Sequence, residues 1–180
     1  SALLLAAPQN KKNDEMKSVI KEGNKSPKIL LKTLQSNLVK NMKQGGPMQA
    51  LEFCSNEAYN LTQTVNTKLP QGVTIKRVSL KYRNPVNKPE NDEAKVLEAL
   101  HSLKESNVVL PKYFVEKIDD KNYKYYKPLV INKQACLKCH GDIQDQKLKT
   151  AIENRYPLDK ATGYKMGDLR GAIVVTITKK

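Results

Sequence analysis

Tryptophan is absent from the 180 residues and phenylalanine occurs twice, so any aromatic contribution to a core must come from the eight tyrosines. Acidic residues are also short, with 18 Asp and Glu against 32 Lys and Arg, a formal charge of +14. Such an excess points to a negatively charged partner: an acidic protein, an anionic membrane surface or nucleic acid. The lysines are spread through nearly every segment, with no Arg-rich arm, so nucleic acid has only net charge in its favour and is not expected as a partner. Long apolar runs are missing too. No stretch approaches the roughly 20 apolar residues that cross a bilayer, so no integral membrane segment is expected and only peripheral membrane contact stays open. Residues 1–8 form an apolar scrap that resembles the tail of an export signal. Residues 1–26 are set apart as a leader remnant and polar N-terminal segment.

What remains reads as one soluble domain over residues 27–180, with 39% hydrophobic and 28% charged residues in the chain. Residues 9–26 carry only a weak stripe of Met16, Val19 and Ile20, which predicts a short or frayed helix. From Pro27 to Lys43 the apolar residues Leu30, Leu31, Leu34, Leu38 and Met42 recur three and four apart. That is one face of a helix, ended by Gly45, Gly46 and Pro47. A second helix follows, with Leu51, Cys54, Ala58, Leu61 and Val65 facing inward. Val73 to Leu80 alternates branched and polar residues as a strand does. Pro85 and Pro89 make the next stretch irregular. Asp92 to Ser106 reads as a helix with Val96, Leu97, Leu100 and Leu103 inward. Tyr113 to Ile118 and Tyr123 to Ile131 flank a turn at residues 119–122, the pattern of an antiparallel hairpin. A helix from Gln144 to Tyr156 and a strand from Gly171 to Thr178 follow. Helices first and an antiparallel sheet after make an α+β domain.

The chemistry lies in Cys136-Leu137-Lys138-Cys139-His140. Two thiols at this spacing can add to the two vinyl groups of a haem, and the adjoining imidazole then stands under the iron. A thioredoxin-like redox pair would want a βαβ setting, and a zinc site would need a second Cys or His pair. Only Cys54 and His101 are left over. The motif therefore predicts one covalent haem c with His140 as proximal ligand. Thioether attachment belongs to the periplasm or an equivalent exported space. For the distal side the residues leave several candidates open: Cys54, Met42, Met48, Met166 and His101. Cys54 also reads as a small buried hydrophobe on a helix face.

Further blocks carry a resemblance. They are Ala50 to Cys54, Lys76 to Pro85 with Asn87 and Pro89, Tyr126 to Leu129, Cys136 to Gly141, Tyr156 to Asp159, Ala161 to Tyr164 and Gly167 to Ala172. Over residues 45–178 the chain resembles a family of PAS-like single-haem c-type cytochromes, formerly a domain of unknown function. The resemblance implies a PAS-like antiparallel sheet behind an N-terminal helical segment, and a cysteine as distal iron ligand, a role that falls on Cys54. Arg83, Asn84, Tyr126 and Arg170 stand in these blocks and become candidates to line the haem or hold its propionates.

A thiolate opposite His140 favours ferric iron and lowers the reduction potential. With both axial positions filled, catalysis has no open site. The expected function is periplasmic electron transfer with an acidic redox partner. The alternative is a haem-based redox or gas sensor, for CO or NO, signalling through a partner protein.

Overall fold

The computed structural model describes residues 8–179; the apolar scrap read as a leader remnant lies, but for its last residue, outside the described residues. Four strands form one sheet in the order β1-β4-β3-β2, every neighbouring pair antiparallel. They are β1 (Val73–Val78), β2 (Phe114–Lys117), β3 (Asn122–Val130) and β4 (Leu169–Thr178). The β2–β3 hairpin closes on Asp119, whose Oδ1 accepts from the backbone N–H groups of Lys121 and Asn122, both at 2.8 Å.

Alternation divides the sheet into two faces. Ile75, Tyr123, Tyr125, Ile173, Val175 and Ile177 form the face covered by helices α1 (Pro8–Asn56) and α2 (Ala58–Asn66). Val78, Tyr126, Ala172 and Val174 form the other, against Leu97 of α3 (Asn91–Glu105). A reciprocal capping box between Glu90 and Glu93 starts α3. Leu103, expected to face inward from α3, is exposed, as is Leu38 on α1.

The N-terminal region differs most from expectation. One helix runs from residue 8 through Pro27 to a kink at Gly45 and Gly46, and a second limb continues to Asn56. Residues 8–26 are thus neither frayed nor outside the domain. Val19, Ser26 and Leu30 are fully buried on the sheet. Gly23 sits so close to Tyr125 that a Cβ there would lie 2.1 Å from the ring. Asn24 Oδ1 accepts from the Tyr125 hydroxyl at 2.8 Å, and Glu15 accepts from Tyr123 at 3.0 Å. An interior proline costs a helix roughly 3 kcal/mol, and this packing on both sides of Pro27 offsets it. The kink depends on Gly46, whose φ of 68° is a left-handed conformation that glycine adopts without steric cost. The result is an α+β domain with a PAS-like antiparallel sheet flanked by helices.

Candidate functional site

The motif cysteines lie on α4 (Gln134–His140), a two-turn helix that the sequence reading left unassigned. Three residues apart, Cys136 and Cys139 share one side of it. Cys136 packs toward Ile131, Ala161 and Tyr164. Cys139 packs toward Leu51, Leu148, Ile152 and Tyr156, which join the second limb of α1 to α5 (Gln146–Arg155).

His140 is held from both ends. Its backbone carbonyl accepts from Tyr164 N–H at 2.9 Å, and its ring Nδ1 lies 2.8 Å from the Ala161 carbonyl oxygen. A carbonyl can only accept, so Nδ1 carries the proton and Nε2 presents a lone pair. Burial, reinforced by the charges of Arg170 and Arg83, pushes the imidazole pKa down to about 3. The ring is therefore neutral at physiological pH, the form in which it ligates metal. The edge of Tyr164 meets it at 6.3 Å between centroids.

Arg83 organises the surroundings. Its Nε donates to Asp159 Oδ2 at 3.1 Å, and its Nη2 donates to the carbonyls of Cys139 at 2.7 Å and Ala161 at 3.2 Å. Both members of the Arg83–Asp159 ion pair are nearly buried. The Ala161 carbonyl thus accepts from His140 and Arg83 together, which fixes the ring plane through main chain. Arg83 is a brace for the motif helix through Nε and Nη2. Asp159, through its carboxylate, and Ala161, through its main-chain oxygen, belong to this brace and were not singled out from the sequence; a main-chain acceptor such as that of Ala161 leaves no residue signature.

Other candidates fall elsewhere. Asn84 caps the 3-10 turn Pro85–Asn87, its side chain accepting from Val86 N–H at 3.1 Å. Tyr126 does not line the site: it is buried on the α3 face, with its hydroxyl donating to Glu116 at 2.9 Å. The period-two alternation of β3 sends it away from its neighbour Tyr125. Arg170 stays beside the site: it donates from Nη1 to Ser79 Oγ at 2.8 Å and to the Lys81 carbonyl at 3.1 Å, and its guanidinium lies 5.3 Å from the ring of Tyr164, the ring that meets His140.

Cys54 projects from the second limb of α1 and packs against the sheet core. Burial raises its thiol pKa, Arg77 opposes the rise, and Cys139 and Arg83 are the other charges that act on it. The third sulfur is therefore in the electrostatic neighbourhood of the motif. His101 rides on α3, over the opposite face of the sheet, and Met48 and Met166 are 41% and 45% exposed. Met42 is half-buried on the first limb of α1, before the kink. Arg77 was missed by the sequence reading. It sits on β1 opposite Ile173, and its Nε is buried without a hydrogen-bond partner. The pattern Val73, Ile75, Arg77 contained the signal, a charged residue at the third inward position of a strand.

The donor set meets the demands of a covalent haem: two thiols on one helix side, a neutral imidazole with free Nε2, a third sulfur nearby and an unsatisfied cationic N–H. Among the described residues no group of three or more His, Cys, Asp or Glu is arranged to hold a bare metal ion, so Cys136 and Cys139 find no partners for a zinc site there.

The crystal structure of the cyanobacterial haem-protein Tll0287 is similar in fold, with a TM-score of 0.63 and 21% identity over 93% of this chain and 96% of that one. No curated protein sequence matches. The Tll0287-like family model matches residues 6–178, which extends the resemblance upstream through the long helix α1. With nearly its whole length accounted for, the chain belongs to the Tll0287-like family.

Proposed function

We propose that the chain is a single-haem c-type protein that carries electrons in an exported compartment, with thioethers from Cys136 and Cys139, His140 on one side of the iron and Cys54 on the other. One observation carries it: the helix that presents both thiols also presents an imidazole whose Nδ1 is tied at 2.8 Å to a carbonyl, leaving Nε2 for iron. Haem supplies a one-electron couple when bound. The chain does the rest. Donation from Nδ1 makes Nε2 a stronger base, and the Ala161 and Arg83 contacts hold the ring against rotation. Burial holds the Cys54 thiol pKa above its ordinary value and Arg77 and Arg83 only oppose that rise, so its anionic form would come from bonding to iron, and an anionic ligand stabilises ferric over ferrous iron. A low potential follows. Two protein ligands leave no position for substrate, which supports electron transfer over catalysis. The cationic surface supports an acidic redox partner, for which electron exchange slows as salt rises.

Optical and EPR spectra of the haem-loaded protein and of Cys54→Ala, in both oxidation states, test the ligand assignment. The variant is expected to lose the ferric low-spin thiolate signature. Identical spectra would remove Cys54 and return Met42 to consideration.

The kink favours a second reading. Gly45 and Gly46 depart from helical geometry immediately before the limb that carries Cys54, so that limb takes a direction of its own, separate from the rest of α1. Departure of Cys54 on reduction would open the iron to CO or NO, the behaviour of a sensor that signals through a partner. Uptake of CO by the ferrous protein supports this reading; a ferrous form that stays six-coordinate and refuses CO leaves the carrier.

A further inference from the structure

The first limb of α1 carries Lys17, Lys21, Lys25, Lys28 and Lys32, at intervals of four, four, three and four. At 100° per residue they fall in an arc about 80° wide, and the line is about 22 Å long. All five are exposed, and the stripe lies opposite the side on which Val19, Ser26 and Leu30 meet the sheet. Only Lys17 has an acidic partner, Asp14 at 3.3 Å; among the described residues the other four pair with no carboxylate. From Gly23 to Leu51 the chain contains no Asp or Glu at all. An ordinary solvated helix face intersperses acids at four-residue spacing, because neighbouring like charges weaken the helix. From Lys21 to Lys32 that repulsion is left, among the described residues, without an ion pair.

Apolar residues are set into the same surface. Val39 continues the stripe and is 47% exposed, and Ile29 flanks it at 39%. We infer that this face of α1 docks the protein on an anionic lipid surface, with the lysines at the phosphate level and Val39 and Ile29 reaching below it. The shape and chemistry favour a bilayer over other anions. A regular helix meets a plane along its length. Lysine acts as a hydrated point charge that suits diffuse surface potential, and residues 12–45 hold no Arg for bidentate phosphate contacts and no aromatic residue to stack on bases.

The test is co-sedimentation of the haem-loaded protein with phosphatidylcholine vesicles, with and without about 30% phosphatidylglycerol, at about 0.05 M and 0.5 M salt. The expected result is binding only to the anionic vesicles and only at low salt. Replacing Lys21, Lys25, Lys28 and Lys32 by Gln is expected to weaken it more than tenfold. An equal charge change elsewhere, at the exposed Lys68, Lys95, Lys112 and Lys147, should weaken it far less. Val39→Glu, also at an exposed position, is expected to weaken binding several-fold with the fold checked by circular dichroism. No binding by the unaltered protein would overturn the inference. So would equal losses in the two quadruple variants, since that outcome assigns the effect to net charge.

Discussion

Two adjacent tyrosines show how much a single residue's role depends on which way the strand turns it. Tyr125 and Tyr126 are both fully buried, but Tyr125 closes against Gly23 of α1 while Tyr126 reaches Glu116 behind the sheet. Sequence blocks placed Tyr126 with the motif because they are linear; the sheet separates what the chain joins. Tyr126→Phe is therefore expected to cost about 1 kcal/mol of stability, from one lost hydrogen bond, and to leave the haem spectrum unchanged. Arg77→Leu should alter the spectrum and the reduction potential, because its charge acts on Cys54 from the site's own face. Spectroelectrochemistry of the two variants checks both; the reverse pattern would sink this placement. The motif itself was legible because thioether chemistry fixes its spacing. The brace around it was not, since Arg83 and His140 converge on a backbone oxygen that any residue at 161 would supply.

Among elements, the strands and the part of α1 from Pro27 to the kink at Gly45 and Gly46 were legible, and the first turns of α1 were not. Val73 to Val78 and the β2–β3 hairpin announce themselves by alternation and by the turn at Asp119. Beside Val19 and Met16, the first turns of α1 meet the sheet through Gly23, Asn24 and Glu15, residues that give no hydrophobic signal, so periodicity undercounted the segment. Gly23→Ala would force the helix off Tyr125 and is expected to destabilise the domain by about 1–3 kcal/mol, read as a lowered thermal midpoint. On the opposite face, α3 is tied to the sheet by charge. Lys124 reaches Asp92, Glu90 and the fully buried Glu93 at 2.6, 3.1 and 3.2 Å, and Lys76 joins Glu93 at 2.9 Å. Burial alone would lower the pKa of each lysine, but these carboxylates outweigh it and raise both. Hydrogen bonds from the lysines lower Glu90 and Asp92. The lysine contribution is complete below about pH 10.5 and lost as pH rises through the raised values; the Glu90 and Asp92 contribution is present above about pH 4.5 and lost as pH falls. Thermal unfolding across pH should show that plateau, and Lys124→Met should soften both edges. An unchanged profile in the variant would remove this cluster as its cause.

For the whole molecule, what the sequence withheld was the assembly of parts. Neither composition nor spacing says that β4, latest in the chain, lies between β1 and β3, with most of its residues buried. The site inherits this arrangement, because its components come from α1, β1, α4 and the loop before β4. A haem joined at Cys136 and Cys139 would add apolar contacts at that convergence. Replacing both cysteines by Ala is accordingly expected to yield a chain that melts at lower temperature than the haem-loaded protein; equal midpoints would deny the cofactor a role in holding the fold.

The insertion of β4 also sets an order of events. A chain emerging from its N-terminus presents Cys54, β1, the hairpin and then Cys136 and Cys139 before residues 169–178 exist to join β1 to β3. For that interval the sheet is open and unfinished, with nothing yet between β1 and β3. The arrival of β4 then closes the sheet, while Cys136 and Cys139 stay half-buried on α4 rather than sealed inside.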